Sequence, residues 1–114
     1  MRTKTLWIRE AYLAAILQGR KTIEVRVAYP NIARLQVGDR LQLAEASHPN
    51  DRHPYAIRRI GHYASFEDLL AHEDAAAIAP DLSRDDLLSA LRALYPPDKE
   101  ALGVVALEIE RENP

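Results

Sequence analysis

The sequence of 114 residues contains no cysteine. This absence excludes disulfide bonds, thiolate zinc sites and a cysteine nucleophile, so the fold must be stabilised by packing. Aromatic residues make up only 6% of the chain, and a site that stacks a planar ligand must therefore rely on one or two side chains. No apolar run has the length of a bilayer, and charged residues follow Leu6–Ile8 too early for a signal peptide. We therefore expect a cytoplasmic protein that does not act at a membrane.

The composition is typical of one globular domain. Hydrophobic residues make up 47% of the chain and charged residues 28%, which is close to the average of globular proteins. This length is sufficient for one hydrophobic core but not for two, and no segment has the composition of a linker. We expect a single domain over residues 1–114 that needs no cofactor and no metal. The sequence leaves the oligomeric state open.

Charge is distributed unevenly along the chain. Residues 1–59 contain eleven Lys or Arg and five Asp or Glu, whereas residues 60–114 contain four and twelve, respectively. If the two halves form separate faces, the basic face would attract a polyanion. If they intermix in space, their charges neutralise each other. The pattern leaves both arrangements open.

Hydrophobic periodicity predicts an α+β domain with the order strand, helix, three strands, two helices and strand. Apolar residues at nearly every position of 11–17 predict a largely buried first helix that ends at Gly19. Period-two alternation predicts strands over residues 5–8, 22–27, 40–43, 55–65 and 103–111. Because most of these strands are neighbours in the chain, they indicate a mixed, curled sheet flanked by helices.

The two later helices carry recognisable start signals. Ser65 and Ser83 each stand three residues before an acid, which is a variant of the capping box. Carboxylates in a first helical turn complement the helix dipole, so much of the negative charge of this half has a structural explanation. The second of these helices is expected to bury four leucines, Leu87, Leu88, Leu91 and Leu94.

Residues 46–54 consist of turn-forming residues and are predicted to form an exposed loop. The loop contains His48, Asp51 and His53, which are residue types that can bind a metal. Their spacing matches no ligand pair of a helix or a hairpin, so the pattern favours a solvated loop over a metal site.

The apolar positions of residues 55–65 change phase in the middle of the predicted strand. A β-bulge near Arg58 and Arg59 would restore the alternation. Since bulges redirect side chains, the two arginines would either contact phosphate or protect an exposed sheet edge with their charge.

The segment that follows the first helix has the most unusual pattern. Between residues 22 and 27 apolar and polar residues alternate, which predicts a half-buried strand with Thr22, Glu24 and Arg26 on its polar face. Arg20 and Lys21 directly precede it. This concentration of charge is typical either of a recognition surface or of a solvated strand that is stabilised by Glu–Arg pairs.

Lys21 raises a geometric question. In a regular strand its side chain would lie on the opposite side from Glu24. Either the strand begins irregularly after Gly19, or Lys21 lies on the inner side of the sheet, where desolvation would lower its pKa and allow it to act as a base. Methionine has most of the apolar volume of the lysine stem, so the pattern predicts that a Lys21→Met variant folds.

Several segments together resemble the ASCH domain family of the PUA-like superfamily. They are residues 6–12, 19–26 and 37–39, followed by residues 94–96 and 103–107 near the end of the chain. The most specific part is the order glycine-x-lysine-x-x-glutamate-x-arginine over Gly19–Arg26. The resemblance spans almost the whole chain and identifies residues 1–114 as a single ASCH domain.

The resemblance implies a mixed β-barrel of five to six strands with flanking helices. It also implies a cleft beside the first helix, where Lys21, Glu24 and Arg26 meet RNA, a nucleoside or a nucleotide. Further expected ligand contacts are phosphate-binding arginines and base-stacking aromatic residues, namely Arg20, Arg58, Arg59, Trp7, Tyr12 and Tyr29. The apolar neighbours of Trp7 favour a place in the core for this residue instead.

The same family suggests an alternative function. Some relatives are similar to ribonucleases, and one branch is similar to an acetylcytidine amidohydrolase that uses the motif lysine, a threonine three residues later and a glutamate near the later helices. Lys21 matches the lysine, whereas Glu24 stands at the threonine position. The third residue has three candidates, Glu73, Asp74 and Asp81. The chain would then be a small hydrolase in which Lys21 and Glu24 are catalytic.

Overall fold

Five strands form one curled sheet in the computed structural model, which describes residues 2–112. They are Thr3–Trp7 (β1), Ile23–Val27 (β2), Arg40–Glu45 (β3), His48–Tyr63 (β4) and Val104–Arg111 (β5). The strand order is β1-β3-β4-β5-β2, in which β1 runs parallel to β3 and the other pairs are antiparallel. Because β1 and β2 are the two edges of this sheet, it is an open half-barrel with a gap between them. This mixed sheet confirms the predicted fold class.

Six helices flank the sheet: Glu10–Leu17 (α1), Pro30–Ala33 (α2), Phe66–His72 (α3), Ala75–Ile78 (α4), Arg84–Leu94 (α5) and Pro97–Glu100 (α6). The hydroxyl groups of Ser65 and Ser83 accept hydrogen bonds from backbone N–H groups three residues later, which confirms both predicted N-caps. The sequence did not predict α2, α4 and α6, since a single turn is too short for a periodic pattern. Between residues 2 and 112, every helix is too short or too polar to span a membrane.

The hydrophobic core is divided between the two faces of the sheet. On β5, Val105 and Leu107 point into the half-barrel and pack with α1, whereas Val104 and Ala106 point outward and pack with α3, α4 and α5. The predicted alternation of β5 is therefore correct, but both of its faces are buried. The helices that follow β4 cover the outer face.

β4 begins at His48, so the loop predicted over residues 46–54 is wrong for most of its length. Pairing with β3 holds this segment in an extended conformation, with Gln42 opposite Pro54 and Leu43 opposite His53. The turn-forming residues remain largely exposed to solvent, which explains their polarity. Long-range strand pairing has overridden their local preference.

The bulge predicted in β4 is confirmed, since the register with β5 shifts between Ile57 and Arg59. At Arg58 and Arg59 β4 pairs with β5 but no longer with β3, whose last partner in β4 is Ala56. The predicted strand edge is therefore present on one side of β4 at this position.

Two predictions of burial are also wrong. Trp7 was expected in the core, but its neighbours Leu6 and Ile8 are buried in the core and direct the indole outward, where it is 48% exposed. In α5, Leu87 is buried but Leu94 is exposed, because the last turn borders a cleft instead of the sheet.

An ion cluster joins the bulge of β4 to the end of α3. The Glu73 side chain is only 3% exposed. It accepts hydrogen bonds from Arg59 Nη1 at 3.0 Å, from Arg59 Nη2 at 2.6 Å and from the Tyr63 hydroxyl. A Cβ atom at Gly61 would lie 2.7 Å from Glu73 Oε2, so glycine leaves the space that this carboxylate occupies. The hydrogen bonds from Arg59 lower the pKa of Glu73, although burial opposes them.

Because Glu73 is ionised in this cluster, the free energy of unfolding should depend on pH. The folded-state pKa of Glu73 lies below its ordinary value of 4.5. The stability that the ionised carboxylate adds is therefore fully present above that value and is lost as pH falls through the folded-state pKa. We expect Glu73→Gln to be less stable than wild type at pH 7 and the difference to shrink below about pH 4.5. Urea unfolding between pH 7 and pH 3 measures this.

The control is Glu67→Gln, which changes an exposed carboxylate in the first turn of α3, the helix that Glu73 follows. It should stay within about 0.5 kcal/mol of wild type. Parallel pH profiles for wild type and Glu73→Gln would contradict the role of the buried carboxylate.

Candidate ligand-binding site

A cleft of about 160 Å³ lies at the gap between β1 and β2. One wall comes from the end of β1 and from α1, with Trp7, Arg9 and Tyr12. The opposite wall comes from α4, α5 and the residue after α5, and it is mostly apolar. Three charged residues lie between these walls: Lys21 and Glu24, which are buried, and Arg26, which is half-buried. The structure thus brings the three motif residues together.

An irregular start of β2 allows Lys21 to meet Glu24. The strand begins at Ile23, and Gly19 has a φ of 77°, a left-handed conformation that glycine adopts without strain. Lys21 therefore precedes the regular strand, and its side chain does not follow the strand's alternation. Its Nζ lies 3.1 Å from Glu24 Oε1. Of the two arrangements considered for Lys21, the irregular start is correct.

The Lys21 ammonium group is fully engaged inside the protein. Its side chain is 3% exposed, and Nζ donates hydrogen bonds to the carbonyl oxygens of Ile23 at 2.6 Å and Ile78 at 2.7 Å. The Glu24 carboxylate is its third partner, and the Tyr12 ring centroid is 5.5 Å away. Burial lowers the pKa of Lys21 below its ordinary value, while Glu24 acts in the opposite direction. An ammonium group has three N–H donors, so no donor remains for a ligand.

Glu24 lies between two cations. Its Oε1 faces Lys21, and its Oε2 is 2.8 Å from Nε and 2.7 Å from Nη2 of Arg26. Burial opposes the charge of this carboxylate, but Lys21 and Arg26 outweigh burial and lower the pKa of Glu24 below its ordinary value. Glu24 and Arg26 pair with Leu107 and Val105 of β5 and therefore lie on the inner side of the sheet. The predicted polar face is thus not a solvated one.

Arg26 connects the two edge strands. While Nε and Nη2 bind Glu24, Nη2 also donates to the Trp7 carbonyl oxygen of β1 at 2.9 Å. The side chain is 22% exposed, and Nη1 forms no hydrogen bond with residues 2–112. This guanidinium group is therefore held in place while retaining a donor that a ligand can use.

The other predicted ligand contacts are distributed over several surfaces. Tyr12 lines the cleft, and Tyr29 lines an adjacent groove. Arg20 pairs with Asp81 on the outside of the protein. Arg58 lies within 4 Å of Glu108 and Glu110, and Arg59 binds Glu73 and Glu108. The walls of the cleft contain none of these three arginines.

These ion pairs also show whether the basic and acidic halves of the chain form separate faces or intermix. Four arginines of the basic half, at positions 20, 40, 58 and 59, pair with carboxylates of the acidic half. The halves therefore intermix on this part of the surface. A polyanion would have to be attracted by the remaining cations.

The three acidic candidates for the amidohydrolase glutamate also have partners elsewhere. Glu73 belongs to the cluster with Arg59, Asp74 caps α4 through the N–H of Ala76, and Asp81 pairs with Arg20. None of them is among the cleft-lining residues. Within residues 2–112, no three His, Asp or Glu side chains are arranged to hold a metal ion.

The sequence reasoning missed Arg9 and the wall formed by Leu91, Leu94 and Tyr95. Burial raises the pKa of the Tyr95 phenol, while the charge of Arg26 opposes this shift. The surplus of leucines on α5 was a signal that could have been interpreted as an exposed apolar surface. No local signal connects residue 95 with a motif that lies about seventy positions earlier in the chain.

Comparisons with known proteins agree with this fold. The ASCH domain family matches residues 6–113. The crystal structure of hypothetical protein PH0355 has a TM-score of 0.85 and 25% identity, with 98% of this chain and 100% of that one covered. The solution NMR structure of protein PF0455 from Pyrococcus furiosus has a TM-score of 0.73 and 25% identity, with 99% and 98% covered.

An ASCH domain from Lactobacillus crispatus has a TM-score of 0.67 and covers 96% of this chain, with 79% of its own length matched. At 14% identity it supports the fold alone. Comparison with curated proteins finds no match. Since the family match covers nearly the entire sequence, the chain belongs to the ASCH domain family.

Proposed function

We propose that this protein binds RNA or a nucleotide in the cleft beside α1. The base lies against the apolar wall, and Arg9 and Arg26 bind the phosphate. Membership of the ASCH domain family supports RNA binding in general. The position of the ligand is the further step, and it rests on the geometry of the cleft.

The observation that carries the proposal is the state of Arg26. A guanidinium group that is already held by Glu24 and the Trp7 carbonyl loses little conformational entropy when it binds a ligand. Its Nη1 can donate a charge-assisted hydrogen bond to a phosphate or a base oxygen. Arg9 is exposed on the same cleft, just before a helix whose first turn has no side-chain cap.

The walls of the cleft suit a planar ring. Tyr12, Leu91 and Tyr95 line it, and aromatic and aliphatic side chains bind the face of a base without depending on its sequence. The volume of about 160 Å³ is smaller than that of pockets that enclose a complete small ligand, which have roughly 300–1,000 Å³. One base would thus lie inside, with its sugar and phosphate at the mouth.

The alternative is hydrolysis of an acylated nucleoside or of RNA by Lys21 and Glu24. A catalytic general base must have a free electron pair, but Lys21 Nζ donates hydrogen bonds to two carbonyl oxygens and a carboxylate. Both oxygens of Glu24 are held by cations. These contacts favour binding over catalysis, and they assign Lys21 and Glu24 the task of holding Arg26 in place.

The first experiment changes Arg9, whose side chain is exposed. We expect Arg9→Gln to weaken binding of nucleoside 5′-monophosphates by about tenfold, because one charged hydrogen bond to phosphate is lost. Affinity for the corresponding nucleosides, which have no phosphate, should not change. Calorimetric titration of the four nucleosides and their monophosphates measures both.

The matched control is Arg40→Gln, which removes an exposed arginine at the opposite end of β3. It should bind all ligands like wild type. If nucleosides, their monophosphates and short RNA all fail to bind the wild-type protein, the proposed function is wrong. If Arg9→Gln and Arg40→Gln have equal effects, only the phosphate contact is wrong.

The second experiment separates a structural Lys21 from a catalytic one. Lys21→Met leaves Glu24 and two carbonyl oxygens without their buried donor. We therefore expect the free energy of unfolding to fall by about 3–5 kcal/mol, which replaces the expectation from sequence that the variant folds normally. The control Arg20→Met removes a neighbouring exposed cation and should change stability by no more than about 0.5 kcal/mol.

Chemical unfolding of both variants, together with an assay on acetylcytidine and a short RNA, decides between the two roles. A Lys21→Met protein that is as stable as wild type but has lost a hydrolytic activity of the wild type would establish Lys21 as catalytic. Loss of stability without any wild-type turnover supports the binding function.

A further inference from the structure

Trp7 has an unusual position for the only tryptophan of the chain. Large aromatic residues are usually well buried, yet this indole is 48% exposed on the outer face of β1. It lies beside Ala44 of β3, which is completely buried. The small alanine leaves space above β3 for a side chain from the next strand.

Arg52 of β4 occupies that space. Its guanidinium carbon is 5.6 Å from the centre of the Trp7 ring, within the range of a cation–π contact. Nη1 donates to Thr5 Oγ1 at 2.6 Å, and Nε donates to the Pro49 carbonyl oxygen at 3.1 Å. Arg52 forms no salt bridge with residues 2–112, in contrast to Arg58 and Arg59. Its charge is therefore fixed in position and is not neutralised.

The indole also lies between two concave surfaces. One is the cleft beside α1, and the other is a groove along β1 that contains Lys4 and Tyr29. The two share Trp7, Arg26 and Tyr95. A ligand that fills the cleft and continues outward would thus pass over Trp7.

We infer that the site extends from the cleft across Trp7 and accepts single-stranded RNA of at least two nucleotides. The first base occupies the cleft, the second stacks on the indole, and the phosphate of the second nucleotide binds Arg52. This inference rests on the proposed function and adds the class of ligand. A stacking surface beside unneutralised cations is the usual means by which proteins hold single strands.

The single tryptophan provides a direct signal, because a stacked base quenches its fluorescence. Wild-type protein is titrated with a nucleoside 5′-monophosphate and with the dinucleotide and tetranucleotide of the same base. We expect the dinucleotide to bind about tenfold more tightly than the mononucleotide, since the second base adds a stacking contact with the indole. The dinucleotide should also quench Trp7 more strongly at saturation.

Arg52→Gln provides the test of the second phosphate contact. Its affinity for the dinucleotide should fall by about tenfold, and the slope of log affinity against log salt should decrease by about 0.7. Its affinity for the mononucleotide should equal that of wild type, because Arg52 does not line the cleft. The control Arg40→Gln should leave both affinities unchanged.

The possible failures are distinct. If mononucleotides bind but the dinucleotide binds no more tightly, the extension is wrong and the proposed function stands. If Arg52→Gln binds the dinucleotide like wild type, Arg52 only covers the sheet, and the extension is wrong as well. If no nucleotide of any length binds, the proposed function fails together with the extension. Tighter binding of an acidic peptide than of the tetranucleotide would overturn the assignment to RNA.

Discussion

The edge strands β1 and β2 leave a gap in the sheet, and the charged motif and the cleft both lie at this gap. A sheet in the order β1-β3-β4-β5-β2 curls toward closure, but its two edges do not pair. The protein bridges them with a side chain, since Arg26 of β2 donates to the Trp7 carbonyl oxygen of β1. A guanidinium group that is partly withdrawn from water here is paired with a counter-charge, which Glu24 supplies, and the buried Glu24 in turn is balanced by Lys21. The charged motif is thus a structural closure of the half-barrel, and the cleft lies directly above it.

The three charged residues of the motif differ in whether they have a hydrogen-bonding group available to a ligand. Lys21 uses all three of its donors inside the protein, and both carboxylate oxygens of Glu24 bind cations. Under the proposed function, both residues would act on a ligand through Arg26. Arg26 alone combines internal partners with a donor that is still available. A rigid cation beside an apolar, aromatic wall is suited to recognise a planar ligand with an anionic group. The chemistry of a base or nucleophile would need a different arrangement, in which at least one titratable group has an open position.

The distribution of charge along the chain has a comparable explanation. Arginines of the first half are paired with carboxylates of the second half at the bulge of β4, at Arg20 and at Arg40, because β5 and the helices lie against the earlier strands. The cations that remain without such partners include Arg52, which lies on the side of the sheet that carries Trp7. The surface available to a polyanion is therefore smaller than the sequence indicates, and it adjoins the cleft.

Features that depend on neighbouring residues could be predicted from the amino-acid sequence, namely the N-caps at Ser65 and Ser83, the alternation of β5 and the bulge of β4. The sequence also contained the motif that identifies the family. The three-dimensional arrangement was needed to show which strands are edges, that residues 48–54 form a strand, that Trp7 is exposed and that Glu24 is buried. Each of these depends on partners that are distant in sequence, and local propensity and periodicity contain no information about them. For the same reason, the wall formed by α5 could not be connected with the motif before the fold brought them together.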